Sequence, residues 1–480
     1  MTGKHREIQT SDARNEPPMQ LGEHLDTTEL RPRPTNVILL TLVSGTAAGT
    51  PRLWTAVGAA EAPGEGRNVT SVATVRQYAE PVAPTRPWRV VLLLGSLIAL
   101  GPLSIDLYLP ALPDLTDDLS ASPSSVQLTL TGILVGLGLG QLVIGPLTDI
   151  YGRRRPLLVG IAVNVVTALL CAVAPTILVL DVLRVVQGVG AAAASVVAMA
   201  IVRDLFTGRA AAGVISRLVM VMGLAPVLAP SLGSAVLEIG SWRLVFVVLA
   251  GLGVLIGALA AFGLKETLPP ERRAAPGLRT TLHGYGVLLR DPSLVGFMMV
   301  ASLTMAAVFA YVSGASFVLQ DGFGLDKRTF GLLFAVGAVA LIVSSQVNVL
   351  LLRRLSPGTI LSTALVVAAL AGAVLLVNAV TGSGGLLGIM VPIWVVMAMV
   401  ALCGPNATAL ALAEHGDRAG AAAALLGAAQ FTVGAVIAPL TGLGEVGSAV
   451  PMAATIAGAL LLAAVLVRVV LRPATTSPEA

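Results

Sequence analysis

From residue 88 onward the chain is a succession of long, mainly apolar runs separated by short polar segments, and we count twelve of them. A run of about 20 apolar residues is long enough to cross the hydrocarbon core of a bilayer. Inside lipid each backbone N–H and C=O must be satisfied within its own segment, so these runs are predicted to be helices. The predicted spans are residues 88–110, 124–147, 155–174, 176–202, 210–237 and 243–263, then 293–317, 329–350, 357–379, 385–411, 419–442 and 448–470. Composition agrees: charged residues make up only 12% of the chain, against about 25% in soluble domains. The fold class is therefore all-α membrane protein, with twelve transmembrane helices in two six-helix bundles, 88–264 and 293–472. A polar, basic, proline-containing loop, 265–292, divides the bundles, and residues 473–480 form a short tail.

Loop cations predict the orientation through the excess of Lys and Arg on the cytoplasmic side. Arg153, Arg154 and Arg155 follow the second span, Arg203 and Arg209 the fourth, and Arg353 and Arg354 the eighth; Arg418 precedes the eleventh and Arg472 follows the last. The central loop adds Lys265, Arg272, Arg273, Arg279 and Arg290. The intervening loops are poorer in cations, with Arg243, Lys327 and Arg328 as exceptions, and the first carries Asp114, Asp117 and Asp118. Both termini and the central loop are thus expected in the cytoplasm.

Residues 1–87 are polar and rich in Pro, Thr and Glu, a composition that predicts a disordered cytoplasmic extension. Cys171 and Cys403 both sit within apolar runs and read as small core residues. No His, Cys, Asp or Glu group has metal-ligand spacing. No G-x-x-x-x-G-K-[ST] loop occurs, so ATP-driven transport by this chain alone is not expected. No segment outside the spans has the size of a catalytic domain, so no enzyme is expected, nor any cofactor, metal or nucleic-acid partner.

Specific motifs lie on this framework. Residues 140–157 read G-Q-L-V-I-G-P-L-T-D-I-Y-G-R-R-R-P-L, placing Gly145, Asp149, Gly152, Arg153, Arg154 and Arg155 at the turn between the second and third spans. This resembles the signature of major facilitator superfamily transporters, with Ile150 where a cation usually follows the Asp. Pro102 to Pro113, P-L-S-I-D-L-Y-L-P-A-L-P, is similar to the first-helix signature of the Bcr/CflA branch, the bicyclomycin- and chloramphenicol-resistance type of drug:proton antiporter. Arg184-Val-Val-Gln187-Gly188-Val-Gly190, with Arg203-Asp204 beyond it, resembles the superfamily's fourth-helix motif. Gly223, Pro226, Pro230 and Gly233 in the fifth span resemble the antiporter motif, with Ser234 where a second Gly is common. Gly404-Pro405-Asn406 is similar to a Pro-Asn pair of the same branch. The ordered set covers residues 88–472.

The resemblance implies the major facilitator fold, whose halves are parallel repeats with inverted repeats nested inside. It implies proton-driven export of drugs across the bacterial inner membrane by a monomer, with the proton gradient as energy source and with drugs, protons and lipid as partners. Asp106 and Arg184 would couple protons. Hydrocarbon favours the protonated acid and a nearby guanidinium favours the carboxylate, so a group set between them can load and release a proton. Asp181, one turn from Arg184, offers a plainer role as an i,i+3 ion-pair partner. The 145–155 turn would be a charge-held cytoplasmic gate. Tyr108, Gln127, Asn164, Tyr311, Gln346, Asn406 and Gln430 are the expected cavity residues, each of which could instead serve a helix–helix hydrogen bond. Two other classes stay open: an exporter of a physiological solute on the same fold, such as an amino acid or a self-made antibiotic, and a membrane-embedded enzyme.

Overall fold

The structure, a computed structural model, describes residues 53–60, 69–76, 87–206, 208–273, 278–415, 418–445 and 447–471. Two compact units divide the chain, residues 1–82 and 83–480. In the first, strands β1 (Leu53–Ala60) and β2 (Val69–Arg76) pair antiparallel, from Leu53 opposite Arg76 to Ala60 opposite Val69. The expected disorder of residues 1–87 does not extend to these strands.

The second unit is helical. In chain order it contains α1 (Pro87–Asp106), α2 (Leu112–Asp118), α3 (Pro123–Tyr151), α4 (Arg154–Ala172), α5 (Ile177–Leu205), α6 (Gly208–Ile239) and α7 (Trp242–Gly263). Then follow α8 (Leu278–Leu288), α9 (Pro292–Ser316), α10 (Lys327–Leu351), α11 (Pro357–Thr381), α12 (Gly385–Leu412), α13 (Ala419–Ile437) and α14 (Val450–Val470). Among the described residues, eleven helical stretches are long and apolar enough to cross a membrane. The remaining expected span falls on α6, a helix of 32 residues with two shorter apolar stretches, Gly213–Met222 and Leu228–Ile239. Side chains pointing away from the bundle, such as Leu178, Phe262, Leu370 and Leu461, are exposed, Phe262 at 93%. An apolar perimeter of this kind suits lipid.

Local chemistry explains where the helices begin. Ser122, Thr176 and Ser356 accept the backbone N–H of Ser125, Val179 and Thr359, capping α3, α5 and α11. The first span departs from expectation: α1 stops at Asp106, and a 3-10 turn, Leu109–Ala111, leads into α2. Pro110 and Pro113 have no N–H to continue a ladder, but each is tolerated in the first turn of a new helix. The central loop, expected as a polar linker, contains the helix α8. Tyr285 and Leu288 of α8 are buried in a core cluster with residues of the second half.

Helix pairing repeats between the halves. In the first, α3 packs on α5, α4 on α5 and α7, and α1 on α5, α6 and α7; in the second, α10 packs on α12, α11 on α12 and α14, and α9 on α12, α13 and α14. The halves meet along α3 with α13 and along α6 with α10. Among these, the α3–α5 seam positions the site. Gly132, Gly136 and Gly140 recur every fourth residue on α3, the small-x-x-x-small spacing of close membrane-helix contacts. A Cβ at Gly136 would lie 2.0 Å from the Val185 carbonyl oxygen, and one at Gly188 would lie 2.2 Å from that of Ile133. Only glycine permits this approach, which carries the α5 backbone around Arg184 against α3.

Candidate functional site

Arg184 is fully buried within α5. Its Nη1 donates to the Ser104 carbonyl oxygen at 2.8 Å and to Gln187 Oε1 at 2.7 Å. Its guanidinium carbon lies 4.1 Å over the centre of the Tyr108 ring and 5.7 Å over that of Phe246. Ser104 is in the last turn of α1, where carbonyls lack intrahelical partners and the helix dipole favours a cation. The cation is thus held by residues on either side of Asp106, the last residue of α1, which is itself 4% exposed.

The plainer expectation for Arg184 is not met. Among the described residues no ion pair joins it to Asp181 or to Asp106. Asp181 Oδ1 and Arg184 Nε and Nη2 are buried without hydrogen-bond partners. The end of α1, the aromatic face of Tyr108 and Gln187 hold the guanidinium in place of Asp181. Around it, Asn164 Nδ2 donates to Ser104 Oγ and to the Gln187 carbonyl oxygen, both at 3.3 Å. Tyr108 Oη and Thr129 Oγ1 are 3.0 Å apart. The network therefore links α1, α3, α4 and α5. Ser104 and Thr129 were legible only as small polar residues inside apolar runs.

The expected cavity residues divide. Tyr108 and Asn164 belong to this network. Gln127 Nε2 donates across the halves to the Ser313 carbonyl oxygen at 3.4 Å. Asn406 Nδ2 donates to Asn348 Oδ1 at 2.8 Å and to the Leu402 carbonyl oxygen at 2.7 Å, which brings in Asn348 as a residue the sequence did not single out. Tyr311 stacks on Phe334, with centroids 5.0 Å apart and planes 14° from parallel. Gln346 is exposed and Gln430 half-buried, and among the described residues neither is hydrogen-bonded to the others.

The two ends of the bundle differ. At the Asp114 end, hydrogen bonds tie the halves together. Ser316 Oγ donates to the Leu109 carbonyl oxygen at 2.6 Å, Ser124 Oγ to that of Gly442 at 2.8 Å and Thr131 Oγ1 to that of Ala435 at 3.1 Å. Lys327 Nζ donates to Asp114 Oδ2 at 2.6 Å, and the Lys327 carbonyl oxygen accepts from Ser234 Oγ at 2.9 Å. In the antiporter motif Pro230 is buried, and a Cβ at Gly233 would lie 1.9 Å from the Leu107 carbonyl oxygen, so α6 seats on the end of α1. The expectations at Gly223 and Pro226 concern side-chain surroundings that lie outside the described residues.

At the opposite end the charges close on themselves within the first half. Arg153 Nη1 donates to Asp149 Oδ1 at 2.5 Å and its Nε to Asp204 Oδ2 at 2.9 Å. The Glu266 carboxylate, just past α7, accepts the backbone N–H groups of Arg153 at 2.8 Å, Arg154 at 3.2 Å and Leu268 at 3.0 Å. Gly152, at φ 86°, makes the turn. Burial works to raise the Glu266 pKa, but these N–H groups and the Arg273 charge outweigh it and hold the carboxyl below its usual value. Arg154 Nη2 donates to the Ala261 carbonyl oxygen at 2.7 Å, Arg155 is exposed, and Gly145 has open space where a side chain would be. Glu266 was not singled out by the sequence, because its partners are backbone groups, two of them more than a hundred residues away. At this end, α8 also bonds to the first half: Tyr285 Oη donates to the Leu142 carbonyl oxygen at 3.1 Å.

A repeated bundle of six helices and six, with buried polar groups at its centre and one end closed, defines a secondary transporter. The family model for the Major Facilitator Superfamily matches residues 92–439. An uncharacterized MFS-type transporter YdgK of Bacillus subtilis is 40% identical over 77% of this chain and 93% of its own length. A bicyclomycin resistance protein homolog of Haemophilus influenzae is 32% identical over 78% of this chain and 93% of its own. Among solved structures, the xylose transporter XylE of E. coli, in a partially occluded inward-open conformation, superposes with a TM-score of 0.65 at 12% identity, covering 82% of this chain and 99% of that one. The chain belongs to the major facilitator superfamily, in its Bcr/CflA drug-transporter branch. It is a multi-pass protein of the bacterial inner membrane.

Proposed function

We propose that this chain is a proton-coupled multidrug exporter working by alternating access, with Asp106 as the proton carrier. The carrying observation is the buried Asp106 carboxyl at the end of α1, with a permanently charged guanidinium held by Ser104 and Tyr108 on either side of it. Arg does not lose its proton in practice, so in this reading Arg184 acts on the end of α1 as a fixed charge and does not titrate. Export would begin with drug entering from the cytoplasm and displacing the proton, and end with a proton from outside resetting the site. The relative named for bicyclomycin resistance supports a drug as cargo.

In this reading the Arg153 end faces the cytoplasm, as its cations favour, and the closed Asp114 end faces outward. The structure then represents a state closed to the outside. The Arg153–Asp149–Asp204–Glu266 cluster stiffens the cytoplasmic end of the first half, so that the half moves as one body. The deciding experiment is drug-induced proton release from the purified protein, wild type against Asp106→Asn. Release should be lost in the variant while drug binding survives; a variant that releases protons and exports drug like wild type sinks the assignment.

A further inference from the structure

Two buried polar atoms in the second half have no partner and face the same spot. Tyr311 Oη, on α9, and Trp394 Nε1, on α12, are both buried without a hydrogen bond. A Cβ built on Gly337 of α10 would lie 3.8 Å from Tyr311 Oη and 3.7 Å from Trp394 Nε1, so both atoms border one point beside the α10 backbone. The Trp394 ring is closer still, with Cδ1 at 3.3 Å, so a side chain at 337 would crowd it. Phe334, one turn earlier on α10, stacks on the Tyr311 ring and fixes its orientation. Tyr311 is 2% exposed, and its hydroxyl is buried.

Leaving buried donors unpaired costs free energy. Indole N–H can only donate, and a tyrosine hydroxyl donates as readily as it accepts. Their natural complement is therefore an acceptor oxygen. The surroundings carry no charge: α9 and α12 contain no ionisable Asp, Glu, Lys, Arg or His, and α10 has only Lys327 and Arg328, in its first turn. Nothing on these three helices would offset a cation placed there.

We propose that Tyr311 and Trp394 form an acceptor-recognising subsite that takes the carbonyl, nitro or sulfonyl oxygen of a neutral ligand, with the absence of a side chain at Gly337 leaving room for that oxygen. The proposal rests on the multidrug reading above and narrows it: this half of the site selects neutral acceptor-bearing drugs, and lipophilic cations must be held elsewhere.

The test compares two probes on the purified full-length protein in detergent, by equilibrium binding. Chloramphenicol is neutral and carries amide and nitro oxygens; tetraphenylphosphonium is a cation with no acceptor. Tyr311→Phe and Trp394→Phe each remove one donor and keep a ring. Each should weaken chloramphenicol binding on the order of 10-fold, and leave tetraphenylphosphonium within about 2-fold, the discrimination expected when a paired polar contact is lost. Gly337→Ala should weaken chloramphenicol binding in the same selective way. Equal loss for both probes would mean that the pair only shapes the bundle, and unchanged chloramphenicol binding would mean that the donors serve no ligand; either overturns the proposal. A wild type that binds tetraphenylphosphonium but not chloramphenicol overturns the subsite alone. A wild type that binds neither overturns the multidrug reading with it.

Discussion

The Arg184 guanidinium carbon lies 4.1 Å over the centre of the Tyr108 ring, which places a permanent cation against the aromatic residue two positions beyond Asp106. A desolvated cation–π contact of this type is worth about 2 kcal/mol. Tyr108→Phe keeps the ring face and loses only the hydroxyl contact with Thr129, whereas Tyr108→Leu loses the face. We expect proton-driven efflux to fall only modestly in the first and severely in the second. Arg184→Lys keeps charge but loses the Nη1 donor that serves both Ser104 and Gln187 and the planar guanidinium over the Tyr108 ring, so it should lie between wild type and Arg184→Ala. Efflux assays in a pump-deficient host give the order; Tyr108→Leu matching Tyr108→Phe would remove the ring from the coupling site.

Two glycines on α3 predict opposite outcomes. A Cβ at Gly136 would meet the Val185 carbonyl oxygen at 2.0 Å, while one at Gly145 would have nothing within 4 Å. Overpacking a tight contact costs about 1–3 kcal/mol or more, and here the obstacle is backbone that cannot rotate away. Gly136→Ala should therefore lower the thermal midpoint of the purified protein by several degrees or prevent its accumulation, and Gly145→Ala should change it little. Equal midpoints for the two variants would show that the α3–α5 seam relaxes at small cost.

Much of this architecture was legible because lipid leaves a chain few options. Apolar runs located the twelve long helices, and the position of Arg184 inside one of them marked it as a charge needing special partners. What could not be read was which partners it takes. Asp181 is the charged residue nearest along the helix, yet the groups that hold Arg184 are a carbonyl at the end of α1, a ring beyond it and the neutral Gln187. Glu266 was hidden for the same reason, since it binds backbone N–H groups, which leave no mark in side-chain patterns. The break of the first span at Asp106 could be anticipated only in part, because Pro110 and Pro113 are compatible both with a bent span and with a new helix. The unpaired donors of Tyr311 and Trp394 depend on the crossing of α9, α10 and α12, and no sequence spacing reports that.

Glu266 gives the clearest pH dependence outside the membrane. Its carboxyl is held below the usual value in the folded protein. A group whose folded pKa is depressed contributes stability that is present above its unfolded pKa and lost as pH falls through the folded one. The stabilisation should therefore be complete at neutral pH and disappear only in acid, below the ordinary glutamate range. Glu266→Gln keeps the shape and removes the titration. Wild type should be more heat-stable than this variant at pH 7, with the gap narrowing towards pH 4. A gap that persists unchanged in acid would assign the effect to shape and not to charge.

Closure at the Asp114 end should depend more on a buried hydroxyl than on the ion pair beside it. Lys327 and Asp114 have side chains 34% and 37% exposed, and exposed pairs contribute about 0.2–1 kcal/mol, further screened by salt. Ser316 is fully buried, and its hydroxyl reaches across the halves to the Leu109 carbonyl oxygen at 2.6 Å. The Leu109 carbonyl oxygen would keep the Leu112 N–H, so removing that hydroxyl costs the net worth of one buried hydrogen bond between the halves, about 0.5–1.5 kcal/mol and not screened by salt. A suitable reporter is the crosslink between Thr131→Cys and Ala435→Cys, two positions already joined by a hydrogen bond between the halves, in a background with Cys171 and Cys403 replaced. Crosslinking should be efficient in that background and fall severalfold with Ser316→Ala. With Asp114→Asn it should fall little, and only at low salt. If the halves separate here during transport, the crosslink should also stop efflux reversibly, with recovery on reduction. Efficient efflux by fully crosslinked protein would rule out separation of α3 from α13 at this level, and a larger effect of Asp114→Asn than of Ser316→Ala would reverse the order of the two contacts.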